Sequence, residues 1–168
     1  MRIYLIGYMG CGKSSVAKKL AARLAYSCID LDKFIEEQEG ESISQLFEKQ
    51  GEEGFRKIES VCLNTVSKLD NVVIATGGGT PCFENNIELI NSTGISIYLK
   101  MNPIDLVNRL IDAKTERPLL KGKNKNELLE YITVQLEKRS IYYELAKYTM
   151  PAKGIKVDAL VEIIQNKN

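Results

Sequence analysis

The stretch Arg2-Ile3-Tyr4-Leu5-Ile6-Gly7-Tyr8-Met9-Gly10-Cys11-Gly12-Lys13-Ser14 begins as an apolar run, turns on glycines and enters a helical pattern. Residues 7 to 14 satisfy G-x-x-x-x-G-K-[ST], with the strand before and the helix after that this motif requires. The glycines let backbone N–H groups curl around phosphate oxygens, and the helix N-terminus adds positive potential there. Lys13 then reaches the β and γ phosphates, and Ser14 is the Mg²⁺ ligand. Gly10, Cys11, Gly12 and Ser15 complete the nucleotide-binding set. The loop implies a nucleoside triphosphate, ATP in the simplest case, and Mg²⁺, but not what is done with them. A chance glycine loop that binds nothing is the competing reading, and the agreement of motif with context weighs against it.

Outward from this loop, short apolar runs alternate with amphipathic stretches, the pattern of β-α-β units around a parallel sheet. Candidate strands are Arg2 to Ile6, Ser27 to Asp30, Val72 to Ala75, Ile95 to Leu99 and Tyr148 to Met150. The first helix is expected from Lys13 to Ala25, because Val16, Leu20 and Leu24 recur every four residues. Ser42 with Gln45 reads as a capping box, and Asn102-Pro103 as an N-cap followed by proline at the first helical position.

Helical signals crowd the middle, at Lys33 to Glu39, Ser42 to Gln50 and Glu52 to Leu69, with Gly40 and Gly51 as stops. Three helices between two strands exceed what a crossover needs, so residues of about 32–60 are expected to form a substrate-binding insertion; a purely structural excursion is the alternative. Residues Asp112 to Asn126 hold Pro118, Gly122 and several basic side chains with little apolar periodicity, and read as a mobile lid loop or an ordinary solvated connection.

The 168 residues fit one domain, long enough to bury roughly 70% of the surface the unfolded chain exposes. Lys plus Arg at 23 nearly balance Asp plus Glu at 22, so no bulk charge points to nucleic acid or a membrane. The first apolar run is too short for a signal peptide or a span, and a cytoplasmic location is expected. Cys11, Cys28, Cys62 and Cys82 form no C-x-x-C pair, arguing against a zinc site or a redox pair. Histidine is absent, which excludes the Ser-His-Asp triad and leaves proton transfer to carboxylates, Lys, Tyr or Cys.

Switch GTPases, motor ATPases and metabolite kinases all use such a loop. The chain is short for a motor, and it has no N-K-x-D guanine-reading motif. Asp30 and Asp32 end the second strand, at the carboxyl edge where open parallel sheets bind ligands. One could hold the water shell of Mg²⁺ while the other accepts a hydroxyl proton; alternatively Asp32 is the N-cap of the helix opening at Lys33. Only six of the 23 basic residues are arginine, at 2, 23, 56, 109, 117 and 139, which suggests selected sites of carboxylate or phosphate recognition. Glu59, three residues after Arg56, could orient that guanidinium or form a plain surface pair. Thr76-Gly77-Gly78-Gly79-Thr80 follows the third strand, and its bare glycines would let a ligand approach the backbone; a flexible connector is the alternative.

Taken in order, GYMGCGKS, D-L-D at 30–32, GEEGFRKIE at 51–59, ATGGGTP at 75–81, ERPLL at 116–120, and Arg139 followed by Tyr143 resemble the shikimate kinase family nearly end to end. The resemblance implies a three-layer α/β/α P-loop kinase fold, like nucleoside monophosphate kinases, with a central five-stranded parallel sheet. It implies ATP-dependent phosphorylation of the 3-hydroxyl of shikimate in aromatic amino-acid biosynthesis. Asp32 would contact the reacting hydroxyl, Arg56 and Arg139 the substrate carboxylate, and Gly78 and Gly79 the ring hydroxyls. Phe47 and Phe55 would wall the pocket, with Glu59 beside Arg56. Asp30 would hold Mg²⁺ through water, Arg109 would lie on the adenine face, and Arg117 of the lid would join Lys13 on the transferring phosphoryl group. The family commonly has proline two residues after the last arginine, where this chain has Ile141. A monomer acting on a small molecule is expected. A kinase for another polyol acid and a non-catalytic nucleotide-binding module are the competing functions.

Overall fold

The computed structural model describes residues 1–112 and 122–165. Five strands form one parallel sheet: β1 (Arg2–Ile6), β2 (Ser27–Asp30), β3 (Val72–Ala75), β4 (Ile95–Lys100) and β5 (Tyr148–Pro151), ordered β2-β3-β1-β4-β5. The central strands are continuous apolar runs, as expected where helices cover both faces. Residues 3 to 6 of β1 have no exposed surface, and all four residues of β3 are buried.

Among the described residues seven helices flank this sheet in a three-layer α/β/α arrangement: α1 (Lys13–Leu24), α2 (Leu31–Glu39), α3 (Ile43–Val66), α4 (Asn86–Thr93), α5 (Pro103–Asp112), α6 (Lys125–Tyr143) and α7 (Val157–Gln165). A short 3₁₀ turn spans Thr80–Cys82. Helix α1 packs on β3, β2 and α7, α2 packs on α3, and α5 packs on α6. From β1 the chain crosses to β2 on one side, and from β3 it crosses to β4 on the other. The carboxyl ends of β1 and β3 therefore flank a topological switch point, where ligands of open α/β sheets bind.

The capping box at Ser42 and Gln45 is present, and the Asn102 side chain accepts from the Asp105 N–H at 2.8 Å as α5 opens. Gly51 interrupts α3 with φ 67°, ψ −178°, a conformation that strains any side chain, so the two expected helices meet at a kink. Several boundaries shift by one to three residues, and two of the differences bear on the site. Helix α2 opens at Leu31, not Lys33, and its cap is Asp30, whose side chain accepts from the Lys33 N–H; Asp32 lies in the first turn and caps nothing. At the lid, Asp112 ends α5, while Lys125 and Asn126 already belong to α6, capped by Asn124 with Glu127. Residues 113–121, and with them Arg117 and most of the expected lid, lie outside the described residues.

Candidate active site

The loop between β1 and α1 wraps around the Lys13 side chain. Its ammonium donates to the carbonyls of Gly7 at 2.7 Å and Tyr8 at 3.0 Å, so the cation is held under the loop rather than released to solvent. Ser14 Oγ donates to Asp30 Oδ2 at 2.6 Å, which joins the end of β2 to the start of α1. A hydroxyl beside a carboxylate suits a hard, oxygen-seeking cation that keeps several waters, so this pair fits Mg²⁺. Arg109, from α5, donates to the Cys11 carbonyl at 3.3 Å and closes over Gly12. Cys11 itself is buried under the loop, and its Sγ accepts from the Lys13 ammonium at 3.9 Å.

Asp32 projects from the first turn of α2 toward the same loop. Its side chain keeps a face open to the cleft, but the surrounding walls withdraw bulk water. That desolvation, with the negative charges of Asp30, Glu59 and Glu36, outweighs the opposing Lys13 ammonium and pushes the Asp32 carboxyl up to about 6. A carboxylate that titrates there is a stronger base than an ordinary aspartate and is still ionised at neutral pH.

Next to it lies a buried cluster built on α3. Arg56 donates to Glu59 at 2.8 Å and to the more exposed Glu52 at 3.3 Å, and its guanidinium carbon sits 4.2 Å from the Phe83 ring centroid. Phe55 and Phe47 stack at 4.3 Å across the Gly51 kink and add further ring faces around the same cation. The other oxygen of Glu59 accepts from Thr80 Oγ1 at 2.6 Å. Arg56 and Glu59 are thus an enclosed pair, not a surface one, with side chains 9% and 1% exposed. The Arg56 Nε has no hydrogen-bond partner among the described residues.

The glycine loop after β3 runs between these groups, and its bare backbone is a steric requirement. A Cβ on Gly79 would lie 2.5 Å from Arg56 Nη2, and one on Gly77 would lie 2.9 Å from Asp32 Oδ1 and 3.0 Å from Glu59 Oε1. On the far side, Arg139 of α6 reaches toward Gly78 and lies over the Tyr8 ring at 5.4 Å.

A cleft of about 200 Å³ collects these parts, lined among others by Lys13, Ser14, Ser15, Asp30, Asp32 and Gly78. A larger cleft of about 570 Å³ beside β2 shares only Ser14 and Asp30 with it among the described residues and lacks Lys13 and Asp32, so the chemistry belongs to the smaller one. Arg56, Glu59, Gly79 and Phe55 adjoin the smaller cleft through the glycine loop. Three contributors have no role assigned from the sequence: Phe83 on Arg56, Thr80 on Glu59, and Tyr143, whose hydroxyl donates to the Gly78 carbonyl. Thr80 stands in the 75–81 stretch and Tyr143 four residues after Arg139, both singled out above, whereas no sequence signal marks Phe83.

A family model described as shikimate kinase matches residues 9–167. A shikimate kinase of Bacteroides thetaiotaomicron is 45% identical over 93% of this chain and 89% of its own length. Another from Parabacteroides distasonis is 42% identical over 98% of this chain and 95% of its own. Among solved structures, shikimate kinase from Bacteroides thetaiotaomicron superposes with TM-score 0.92 at 41% identity, covering 99% of this chain and 97% of that one. Shikimate kinase from Acinetobacter baumannii in complex with shikimate gives TM-score 0.86 at 34% identity, covering 99% and 94%.

Proposed function

This chain belongs to the shikimate kinase family, and from that premise we propose that it transfers the γ-phosphoryl group of ATP to the 3-hydroxyl of shikimate. One observation carries the reading: a raised-pKa carboxylate, Asp32, stands between a phosphate-binding loop and a glycine loop flanked by two arginines. The first loop suits the nucleotide. The second, with Arg56 and Arg139, suits a small hydroxylated carboxylate.

Phosphoryl transfer needs little covalent help, so the residues act mainly by positioning and by charge. Arg56, held rigid by Glu59 and the Phe83 ring, and Arg139 would grip the substrate carboxylate. Gly78 and Gly79 would admit the ring hydroxyls to the backbone, with Phe47 and Phe55 as the pocket wall. Asp32 would accept the hydrogen bond, and then the proton, of the attacking hydroxyl. Lys13, from under its loop, and Arg117, on sequence grounds, would offset charge on the moving phosphoryl group. Gly10, Gly12 and Ser15 would line the phosphate path, and Arg109 would face the adenine. Ser14, with Asp30 through water, would hold Mg²⁺. A bound Mg²⁺ supplies charge neutralisation across the phosphates.

Residues of about 32–60 would then be the substrate-binding insertion and 112–124 the lid of one kinase domain acting as a cytoplasmic monomer. No described helix is long and apolar enough to cross a membrane. A coupled assay of ADP release tests the reading. Saturable turnover with shikimate, and little with gluconate or without an acceptor, is expected; equal ADP release in all three refutes it.

A further inference from the structure

Tyr143 ends α6 and is buried completely, although a phenol at a helix terminus could easily face water. Two contacts explain its position. Its ring packs on Tyr98 of β4 at 5.1 Å, tilted by 36°, which ties α6 to the sheet. Its hydroxyl donates to the Gly78 carbonyl at 2.5 Å, across 65 positions of sequence. Arg139, one helical turn earlier on the same helix, lies beside the same phenol and brings its Nη1 next to Gly78. The phenol therefore stands between an arginine and the glycine loop.

The ring alone would fill the core equally well as phenylalanine. The hydroxyl is what specifies the distance between Arg139 and Gly78, and both stand in the proposed shikimate subsite. Burial pushes the Tyr143 phenol well above its ordinary range, so it stays a neutral donor under all working conditions. Gly78 has no side chain with which to fix its own orientation, and a carbonyl pinned from behind leaves the rest of its peptide unit with fewer orientations toward the cleft.

We propose that Tyr143 is a positioning residue for the acceptor subsite, its hydroxyl locking the Gly78 peptide and the Arg139 guanidinium into one fixed arrangement. This inference rests on the function proposed above. It assigns Tyr143 no contact with either substrate; it acts through Gly78 and Arg139.

Steady-state kinetics of wild type, Tyr143→Phe and Tyr98→Phe test it, with each protein's melting temperature measured alongside. Tyr143→Phe keeps the ring packing and removes only the hydroxyl. Its KM for shikimate is expected to rise about tenfold, as for one well-made hydrogen bond, with KM for ATP within about twofold of wild type. Tyr98→Phe also loses a buried phenol, but not one on the glycine loop, and is expected to keep the wild-type KM for shikimate. A merely structural role would lower the melting temperature of both variants without separating the two substrates. The proposal is overturned if Tyr143→Phe leaves KM for shikimate unchanged, raises both KM values together, or behaves like Tyr98→Phe. Wild type that fails to turn over shikimate at all refutes instead the function on which the inference rests. Should Tyr143→Phe be too unstable for kinetics, shikimate binding by calorimetry at low temperature reads the same tenfold weakening or its absence.

Discussion

Replacing Glu59 by glutamine removes one charge from an enclosed pair while keeping side-chain volume. In the wild type, Glu59 is spent entirely on protein: one oxygen accepts from Arg56 at 2.8 Å, the other from Thr80 at 2.6 Å. Breaking a buried ion pair by neutralising one member costs about 3–5 kcal/mol, because the remaining charge is left desolvated. Here the cost should fall at the lower end, about 3 kcal/mol, since Glu52 still pairs with Arg56 and the Phe83 ring still faces it. For a chain of this size that corresponds to a melting temperature lower by about 6–12 °C. The freed guanidinium would also lose its fixed direction, so KM for shikimate should rise about tenfold or more, with KM for ATP little changed. Glu52→Gln is the internal control. That carboxylate is largely exposed, and its loss should cost under about 1 kcal/mol. Thermal unfolding and two-substrate kinetics on both variants suffice. A Glu59→Gln protein that melts within about 2 °C of wild type and keeps its KM for shikimate would show that Glu59 does not hold Arg56.

Asp32→Asn should lower turnover by about a hundredfold or more with ATP binding retained, and wild-type kcat should rise with pH as Asp32 ionises near 6. The same shift has a stability sign. The folded carboxyl holds its proton to about 6 against 3.8 for the free group, so ionising it costs stability as pH rises through that window. Melting curves should therefore favour Asp32→Asn over wild type more at about pH 8 than at about pH 4, and a pH-independent difference would contradict the shift. Gly79→Ala puts a methyl 2.5 Å from Arg56 Nη2 and should impair shikimate use selectively; an unaltered KM would mean that Arg56 moves aside freely. Lys13→Ala should cost at least about a hundredfold in turnover, as for one lost electrostatic donor, while the protein remains folded by circular dichroism. Wild-type-like turnover would remove the first loop from the chemistry.

Much of this architecture is legible locally. The loop at 7–14 is bounded by a strand and a helix that pattern alone reveals, and Arg56 with Glu59 is readable because three positions on a helix share a face. Other features are not local. In Asp30-Leu31-Asp32-Lys33 either aspartate could cap a helix, and the choice follows from tertiary packing: Leu31 is fully buried and starts α2, which makes Asp30 the cap and frees Asp32 for the cleft. Helix α4 has only eight residues and a left-handed Asn85 with no side-chain cap, and so gives no start signal. Helix α7 is mostly apolar, where a helix and a buried strand look alike over nine residues. Phe83 and Tyr143 reach the site from 27 and 65 positions away from Arg56 and Gly78, a proximity that no spacing rule encodes.

The central claim is that the cleft joins a phosphoryl donor to one particular hydroxyl of one acceptor. Phosphorus-31 and proton NMR of a mixture of the protein, ATP, Mg²⁺ and shikimate tests this most directly. The expected result is a single new phosphate monoester, coupled to the proton on C3 of shikimate, growing in step with ADP. ADP accompanied by free phosphate, or a phosphate on another hydroxyl, would contradict the placement of Asp32 against the 3-hydroxyl.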